Sequence, residues 1–254
     1  MTERRDKLET VAFGVRDAYD NMALDLRLFD RCEDGAAPGF LRFYTWSQRA
    51  LSLGFFENIG AIDRAKAVED GVQVVRRPTG GRVVLHGDDL TYMVVTRLEP
   101  DRRPHDGFRI VSECIARGLR SLGADVALDR GRQGKSHVKH KPCFVSASRH
   151  EITYQGRKVV GSAQKIGNAA VLQHGSIPLG QGYLKVVEYM KCSDRERRSL
   201  LSEMGASTCC LYDLLASEPP ASEIARVLAE AFGERFDLDT RPTKPLDTNS
   251  LAFI

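Results

Sequence analysis

The chain has 254 residues, of which 42% are hydrophobic and 28% charged, so it can bury a sizeable core and is not globally disordered. Its formal net charge of +3 is too small to indicate a surface that wraps nucleic acid, and no apolar run approaches the ~20 residues that span a bilayer. The N-terminal stretch MTERRDKLET is too polar for a signal peptide. We therefore expect a cytoplasmic protein with neither a nucleic-acid nor a membrane partner.

The N-terminal part of the chain is predicted to hold a helix followed by strands. Apolar side chains recur at helical spacing in AYDNMALDLRLFDRC, and Asp20 is the candidate N-terminal cap of that helix. These side chains are Met22, Leu26 and Phe29. The segment FLRFYTWSQRALSLGFF is rich in aromatic and β-branched residues, which favours strands.

Strands and helices continue through the middle of the chain. IDRAKAVEDG predicts a short helix that ends at Gly71, and both VQVVRRPTGGRVVLH and LTYMVVTRL predict strands. Residues 107–123 give the clearest helix, because their apolar side chains share one face and Gly123 follows. That face consists of Phe108, Val111, Ile115, Leu119 and Leu122.

A basic segment, DRGRQGKSHVKHKP at residues 129–142, breaks this pattern and is predicted to be a loop. It carries five lysines and arginines and two histidines, with Asp129 as its only acid. The segment HEITYQGRKVVGSAQ follows it and alternates in polarity. It predicts a β-hairpin that turns near Gln155 and Gly156.

The C-terminal part of the chain is predicted to be helical from about residue 190. Ser193 and Glu196 match a capping box at the start of one helix. With strands concentrated between residues 40 and 180, the pattern indicates an α+β fold. We predict a single catalytic domain over residues 1–254 with this helical part at its end.

The stretch RRPTGGRVVLHGDDLTY at residues 76–92 places arginines beside paired glycines. Gly80 and Gly81 let the backbone approach a ligand or another strand closely. Arg76 and Arg77 could contact a phosphate or a carboxylate. The stretch matches neither a P-loop nor a dinucleotide fingerprint. From the residues alone, an anion-binding loop and a glycine-bent hairpin with solvated arginines remain equally open.

Two side chains have the chemistry for acyl transfer. Cys143 follows the basic segment, whose charge favours a thiolate that can accept an acyl group and pass it on; a small buried residue is the alternative. Lys158 lies among small and apolar residues after the hairpin turn, either aimed at an acyl carbonyl or exposed. His86 and His174 are candidate bases, although single histidines are more often structural. The six cysteines contain no CxxC pair, so no metal site is predicted.

Four blocks, taken in order, resemble a known family. They are NMALD at 21–25, RFYTWSQRALSLGFFEN at 42–58, RRPTGGRVVLHGDDLTY at 76–92, and CFVSASRHEITYQGRKVVGSAQ with VLQHGSIPL at 143–179. In this order and spacing they look like the lipoate–biotin ligase-like superfamily of lipoyl attachment enzymes, and specifically its octanoyltransferase branch. Together the blocks are far more specific than any one of them.

The resemblance implies a mixed β-sheet flanked by helices, of the class II synthetase and biotinyl–lipoyl ligase-like type, with a tunnel for a medium-chain acyl group. It implies transfer of octanoyl from octanoyl-acyl carrier protein to the lysine of a lipoyl domain, either glycine cleavage H protein or a 2-oxoacid dehydrogenase E2, without a cofactor. Cys143 aligns with the family's acyl-accepting cysteine and Lys158 with its active-site lysine. The residues implied in or beside the acyl pocket are Arg76, Arg77, Gly80, Gly81, His86, Gly161, Ser162 and His174.

The chain departs from the family pattern at a few positions, which are Gln48, Glu57, Ala147 and Lys165. Arg82 stands where ATP-dependent ligases of the superfamily keep a third glycine, which favours a thioester donor over ATP. A lipoate–protein ligase, an amidotransferase that moves octanoyl or lipoyl between lipoyl domains, and a binding protein without chemistry are the alternatives. Cys143 and Lys158 argue against the last of these.

Overall fold

The computed structural model describes residues 6–98, 104–129 and 151–239. Cys143 and the basic segment after Asp129 lie outside these ranges, so the predictions for them remain predictions. The strands are β1 (Lys7–Arg16), β2 (Gly39–Trp46), β3 (Ala50–Leu53), β4 (Gln73–Arg76), β5 (Val84–His86), β6 (Asp89–Arg97), β7 (Ala127–Leu128), β8 (Ile152–Tyr154), β9 (Arg157–Ile166), β10 (Ala170–Pro178) and β11 (Asp237–Asp239).

These strands form two sheets. The large sheet has the order β11-β1-β2-β6-β10-β9-β8-β7, and the small one has the order β4-β3-β5. In the large sheet β1 runs parallel to β11 and β2, and the other neighbours are antiparallel. In the small sheet β3 runs parallel to β4 and antiparallel to β5. The mixed sheet predicted from the sequence is therefore present.

The chain passes from the small sheet to the large one between His86 and Asp89. Gly87 makes this turn with a φ of +131°, a conformation that side chains with a Cβ rarely adopt. A Cβ at Gly87 would also lie 2.9 Å from Cγ of Arg49. The tight turn holds the side chains of His86 and Asp89 next to each other at the junction of the two sheets.

Five α-helices of the described ranges pack on the two sheets, and those nearest the large sheet cover both of its faces. The five are α1 (Ala18–Glu33), α2 (Arg64–Glu69), α3 (Pro104–Ser121), α4 (Asp194–Ser207) and α5 (Ala221–Gly233). One apolar cluster joins α3 and α5 to the sheet through residues such as Ile115, Leu228 and Tyr92. A second cluster packs α1 on the opposite face, around Leu28 and Phe40. A third joins the small sheet to α4 and to the 3-10 helix Gln181–Tyr189.

Several local predictions are confirmed. The hairpin between β8 and β9 turns at Gln155 and Gly156, whose φ angles of 48° and 80° are both positive, as a two-residue hairpin loop requires. The capping box at the start of α4 is complete, because the Ser193 side chain accepts from the Glu196 amide and the Glu196 side chain accepts from the Ser193 amide. Among helices of the described residues, none combines the length and apolar character needed to cross a membrane.

Other local predictions are wrong. β11 lies in the C-terminal part that was predicted to be helical. β1 was not predicted at all, because only its Leu8 is buried and the strand therefore carries no apolar alternation. The cap of α1 is Asp17, which accepts from the backbone amide of Asp20. Leu26 is 37% exposed rather than facing the core with Met22, since the buried face of α1 runs through Asp25 instead.

Candidate active site

A pocket opens between α1, the large sheet and the small sheet, with about 410 Å³ of space between protein atoms including its mouth. Five of the residues predicted for an acyl pocket line it: Arg77, His86, Gly161, Ser162 and His174. Met22, Tyr44, Trp46 and Val84 supply its apolar wall. Within the described ranges, its lining does not include the other predicted residues, which are Arg76, Gly80, Gly81 and Lys158.

Arg77 is buried and folds its side chain into its own loop. Its guanidinium donates to the carbonyl oxygen of Ser52 at 2.7 Å, of Gly80 at 2.9 Å and of Arg82 at 2.7 Å. A weaker bond of 3.2 Å reaches the Ser52 hydroxyl. Arg77 therefore fixes the shape of the loop that forms one pocket wall.

Arg76, on the outside of the same loop, also donates hydrogen bonds to backbone carbonyl oxygens. Its Nη1 donates to the carbonyl oxygens of Gly54, Phe55 and Glu57 at 2.7 to 3.0 Å. This brings the turn after β3 against the glycine pair, and a Cβ at Gly54 would lie 1.7 Å from the carbonyl oxygen of Gly81. The two neighbouring arginines that suggested an anion site thus hold backbone carbonyls.

His86 is the centre of the first polar network in the pocket. Its Nδ1 lies 2.8 Å from Oδ2 of Asp89, and its Nε2 lies 2.8 Å from Oγ of Ser52. The ring stacks on Trp46 with centroids 4.1 Å apart. Burial would raise the pKa of Asp89, but His86, Ser176 and the Gly87 amide outweigh it, and the pKa is lowered. Asp89 is therefore a buried carboxylate that holds the histidine ring in one orientation.

His174 is the centre of the second network. Its Nε2 lies 2.5 Å from Oγ1 of Thr79, and its Nδ1 lies 3.4 Å from Oδ2 of Asp25. Burial lowers the pKa of His174 and outweighs the opposing effect of Asp25, so the ring is neutral at pH 7. The network ties the RPTGG loop to α1 and to β10.

Asp25 also joins the NMALD block on α1 to the RFYTW block on β2. Its carboxylate accepts from Nη1 of Arg42 at 2.6 Å and from the Tyr44 hydroxyl at 2.8 Å. Arg42 donates as well to the side-chain oxygen of Asn21, which lies one helical turn before Asp25. All of these side chains are buried, so α1 and β2 are joined by a fully enclosed ion pair behind the pocket.

Ser162 belongs to a third polar group, at the edge of the pocket. The hydroxyls of Ser162 and Tyr92 lie 2.7 Å apart, and the side-chain amide of Gln173 donates to Tyr92 at 3.0 Å. Burial raises the pKa of Tyr92 to about 12, so its hydroxyl keeps its proton. Gly175 leaves room for that ring, because a Cβ there would lie 2.5 Å from Cε1 of Tyr92.

Lys158 lies on β9 in a buried ion pair rather than in the pocket wall. Its Nζ donates to Oε1 of Glu151 at 2.7 Å, and both side chains are less than 10% exposed. Glu151 is the residue at which the described chain resumes after the segment that contains Cys143. The alternative that Lys158 is an exposed hairpin lysine is therefore wrong. Its side chain is instead held beside Glu151, where the described chain resumes.

Four of the described cysteines, Cys32, Cys114, Cys209 and Cys210, are buried and poor nucleophiles. Burial raises the pKa of Cys32 to about 11, of Cys114 to about 12 and of Cys210 to about 11, and it also raises the pKa of Cys209. Thiols with such pKa values carry almost no thiolate at neutral pH. This agrees with the expectation that these cysteines are buried and unreactive.

Sequence reasoning missed several polar residues of the pocket region. Asp25, Arg42, Ser52, Asp89 and Ser176 all lie in the blocks that carry the family resemblance, yet none was singled out as a site residue. Their position inside those blocks was the available signal. Their contacts join segments far apart in the chain, such as Ser176 to Asp89 at 2.7 Å, which spacing along the sequence does not reveal.

The fold is similar to that of solved lipoate ligases. A bipartite lipoate protein ligase from the archaeon Thermoplasma acidophilum matches with a TM-score of 0.76 and 19% identity, covering 96% of this chain and 89% of that one. Lipoate-protein ligase A bound with ATP matches with a TM-score of 0.75 and 20% identity, covering 95% and 90%. The fold is therefore of the lipoate ligase-like class, as the family resemblance implied.

Sequence comparison names the family. Residues 17–233 match the model of the lipoyl protein ligase A/B catalytic domain, and the chain belongs to this family. Octanoyltransferase LipM of Moorella thermoacetica is 37% identical over 237 residues, which cover 90% of this chain and 86% of that protein. Octanoyltransferase LipM of Bacillus subtilis is 33% identical over 244 residues, which cover 92% and 87%. The predicted resemblance to the octanoyltransferase branch is confirmed.

Proposed function

We propose that this chain is an octanoyltransferase that moves an octanoyl group from octanoyl-acyl carrier protein onto the lysine of a lipoyl domain, by way of a thioester on Cys143. The observation that carries the proposal is the similarity, over about nine-tenths of the chain, to proteins named octanoyltransferase LipM. The acceptors we propose are lipoyl domains such as glycine cleavage H protein or a 2-oxoacid dehydrogenase E2, and the reaction would run in the cytoplasm.

The pocket supports a thioester donor rather than ATP. Arg76 and Arg77, which suggested a phosphate site, donate to backbone carbonyls of their own loop and of the neighbouring turn. Met22, Trp46 and Val84 give the pocket an apolar wall that suits an acyl chain, with each buried methylene contributing ~0.8 kcal/mol. Exchange of one thioester for another is nearly neutral in energy, and thioester to amide is downhill, so this route needs no ATP.

In the first step the Cys143 thiolate attacks the octanoyl thioester, the new carbon–sulfur bond forms, and the carrier protein leaves as its thiol after taking up a proton. The basic residues before Cys143 favour the thiolate. The other thiols with raised pKa values, on Cys32, Cys114, Cys209 and Cys210, are unsuited to this role.

In the second step the lysine amine of the lipoyl domain attacks the Cys143 thioester and gives up one proton to solvent, the amide forms as the carbon–sulfur bond breaks, and the cysteine leaves as thiolate. Lys158 supplies a positive charge for the oxyanion of each tetrahedral intermediate. Removal of one such donor commonly reduces transition-state stabilisation by ~3 kcal/mol. The Glu151 carboxylate, 2.7 Å from the Lys158 ammonium, holds that group in a buried position.

Intact-mass spectrometry tests the proposal. The purified protein is mixed with octanoyl-acyl carrier protein without ATP, alongside a Cys143→Ala variant and a Cys192→Ala variant as a control for removal of a thiol. We expect an octanoyl adduct on the unsubstituted protein and on Cys192→Ala, but not on Cys143→Ala. If no adduct forms, and a lipoyl domain is labelled by free lipoate only when ATP is added, the chain is a ligase. If only an octanoylated lipoyl domain serves as donor, it is an amidotransferase.

A further inference from the structure

Two hydrogen-bonded networks near the pocket each join a carboxylate, an imidazole and a hydroxyl group in that order. They differ in whether the residue with the hydroxyl group lines the pocket. Asp25, His174 and Thr79 form one, with distances of 3.4 and 2.5 Å, and Thr79 is not among the lining residues of the pocket within the described ranges. In the other, Ser52 and His86 both line the pocket. Only in this second network does the residue that carries the hydroxyl line the pocket.

The network of Ser52, His86 and Asp89 has the geometry of an activated serine. Ser52 Oγ and His86 Nε2 lie 2.8 Å apart, as do His86 Nδ1 and Asp89 Oδ2. Because a carboxylate can only accept, a neutral His86 ring carries its proton on Nδ1, and Nε2 is left to accept the Ser52 proton. A nucleophile within reach of a base, with the base oriented by a third group, is the arrangement that activates serine for attack on acyl groups.

Neighbouring groups hold this arrangement rigidly. Asp89 also accepts from the Ser176 hydroxyl at 2.7 Å, the Thr91 hydroxyl at 3.1 Å and the Gly87 amide at 3.0 Å. Trp46 stacks on the His86 ring and donates its Nε1 hydrogen to Thr91 at 2.9 Å. These contacts hold the His86 ring in one orientation. A serine that needed only a hydrogen-bond partner would not require an imidazole held in this way.

A cation stands where negative charge would develop. Nη1 of Arg77 lies 3.2 Å from Ser52 Oγ and 2.7 Å from the Ser52 carbonyl oxygen, which fixes the guanidinium beside the hydroxyl. Such a charge stabilises both an alkoxide and the oxyanion formed from an attacked carbonyl. Ser52 is only 1% exposed, so a substrate reaches it from within the pocket.

We propose that Ser52, His86 and Asp89 form a second reactive centre, which hydrolyses medium-chain acyl thioesters held in the pocket. The acyl substrate class rests on the proposed function, whereas the reactivity of Ser52 rests on the geometry alone. Ser52 Oγ bonds to the acyl carbon as its proton passes to His86 Nε2, and the carbon–sulfur bond breaks as that proton goes to the leaving sulfur. Water then attacks the ester, gives a proton to His86, and Ser52 recovers it as the free acid leaves.

This activity would release acyl groups that enter the pocket without an acceptor. Water must reach a buried site, so hydrolysis is slow relative to transfer through Cys143. The centre does not use Cys143 and is best measured without it.

The test uses the full chain carrying Cys143→Ala, so that no thioester adduct contributes. Hydrolysis of the octanoyl thioester of N-acetylcysteamine is followed through the released thiol, and a fluorophosphonate probe is used to locate a reactive serine by peptide mass spectrometry. We expect slow hydrolysis and a probe adduct on Ser52. Adding Ser52→Ala should lower the rate by about 100-fold or more. Adding Ser112→Ala, a buried serine of α3 on the opposite face of the large sheet, should leave it unchanged.

Equal rates for the variants with and without Ser52, or a probe adduct on another serine, would overturn the proposal. The probe experiment needs no substitution at Ser52, so it decides the matter even if Ser52→Ala fails to fold. Failure of Cys143 to become octanoylated in the unsubstituted protein would instead contradict the proposed function, and it would leave the probe result on Ser52 unaffected.

Discussion

The ammonium of Lys158 and the carboxylate of Glu151 form an ion pair of 2.7 Å in which both side chains are almost fully buried. The two residues lie on neighbouring strands, with Glu151 at the entrance to β8 and Lys158 near the start of β9. A buried charge without a partner is strongly unfavourable, so each residue fixes the position of the other. We infer that Glu151 is a positioning residue for Lys158.

A double-mutant cycle measures this coupling. Glu151→Gln and Lys158→Met should each reduce the free energy of unfolding by about 3–5 kcal/mol, because each removes the opposite charge that offsets the burial of the remaining one. The free energy of unfolding of the double variant should fall by less than the sum of the decreases in the two single variants. The difference, which is the coupling energy, should be about 1 kcal/mol or more. Urea unfolding of the four proteins gives all of these values.

A matched exposed pair provides the control. Glu113→Gln breaks the ion pair with Arg109 on the surface of α3 and should change stability by less than about 1 kcal/mol. Strict additivity of Glu151→Gln and Lys158→Met would show that the pair is not coupled.

The buried histidine His174 gives the fold a dependence on pH. Burial lowers its pKa in the folded chain, whereas the unfolded chain titrates near the ordinary value of about 6.5. Below that pH the unfolded chain takes up a proton that the folded chain does not. The free energy of unfolding should therefore fall as the pH drops below about 6.5, by at most about 1.4 kcal/mol per pH unit from this group.

Urea unfolding between pH 5 and pH 8 checks this slope. His174→Gln should remove it, whereas His105→Gln, at an exposed position in α3, should keep it. An unchanged slope in His174→Gln would assign the pH dependence to other groups.

Gly54, in the turn after β3, and Gly80, in the neighbouring RPTGG loop, differ in the substitutions that they tolerate. In Gly54→Ala the new Cβ would overlap the Gly81 carbonyl oxygen, so the turn and the loop must separate, at a cost of about 1–3 kcal/mol. At Gly80 no atom lies within 4 Å of an added Cβ, and Gly80→Ala should stay within about 0.5 kcal/mol of the unsubstituted protein. Thermal unfolding of the two variants compares them. Equal stabilities would contradict the close approach of turn and loop.

The basic residues of the segment 129–142 predict electrostatic steering of an acidic carrier protein. Such steering acts on the association rate and weakens with salt, since the screening length is about 8 Å at physiological ionic strength. Acylation of Cys143 should therefore slow as salt is raised, and Lys139→Glu with Lys141→Glu should flatten that dependence. Stopped-flow or quenched-flow acylation rates test this. Rates that do not change with salt would rule out steering.

The sequence predicted elements whose signals are local. The capping box at Ser193, the hairpin turn at Gln155 and the apolar face of α3 each depend on residues close together in the chain, and each is present. β1 was missed because its pairing with β2 and β11, rather than apolar alternation, makes it a strand. Long-range backbone hydrogen bonding leaves no periodic mark on an exposed sequence.

The same distinction holds in the pocket. The RRPTGG stretch was identified, but the partners of Arg77 are backbone carbonyls brought close by folding, which side-chain chemistry alone does not predict. Ser52 and Asp89 were not predicted as site residues, because neither is unusual in the sequence. They share a partner only in the folded protein, where His86 contacts Ser52 within the small sheet and Asp89 at the start of the large one. Five of the residues that the family resemblance pointed to line the pocket, and the fold determines their hydrogen bonds.

The proposed function requires the Cys143 thioester to be an intermediate on the route from the carrier protein to the lipoyl domain. The most direct measurement isolates the octanoylated protein free of carrier protein and ATP, adds an unmodified lipoyl domain, and follows the mass of both chains over time. We expect the octanoyl mass to leave this chain and to appear on the lipoyl domain as an amide at the same rate. An adduct that persists, or is lost only to hydrolysis while the lipoyl domain stays unmodified, would contradict the proposed function.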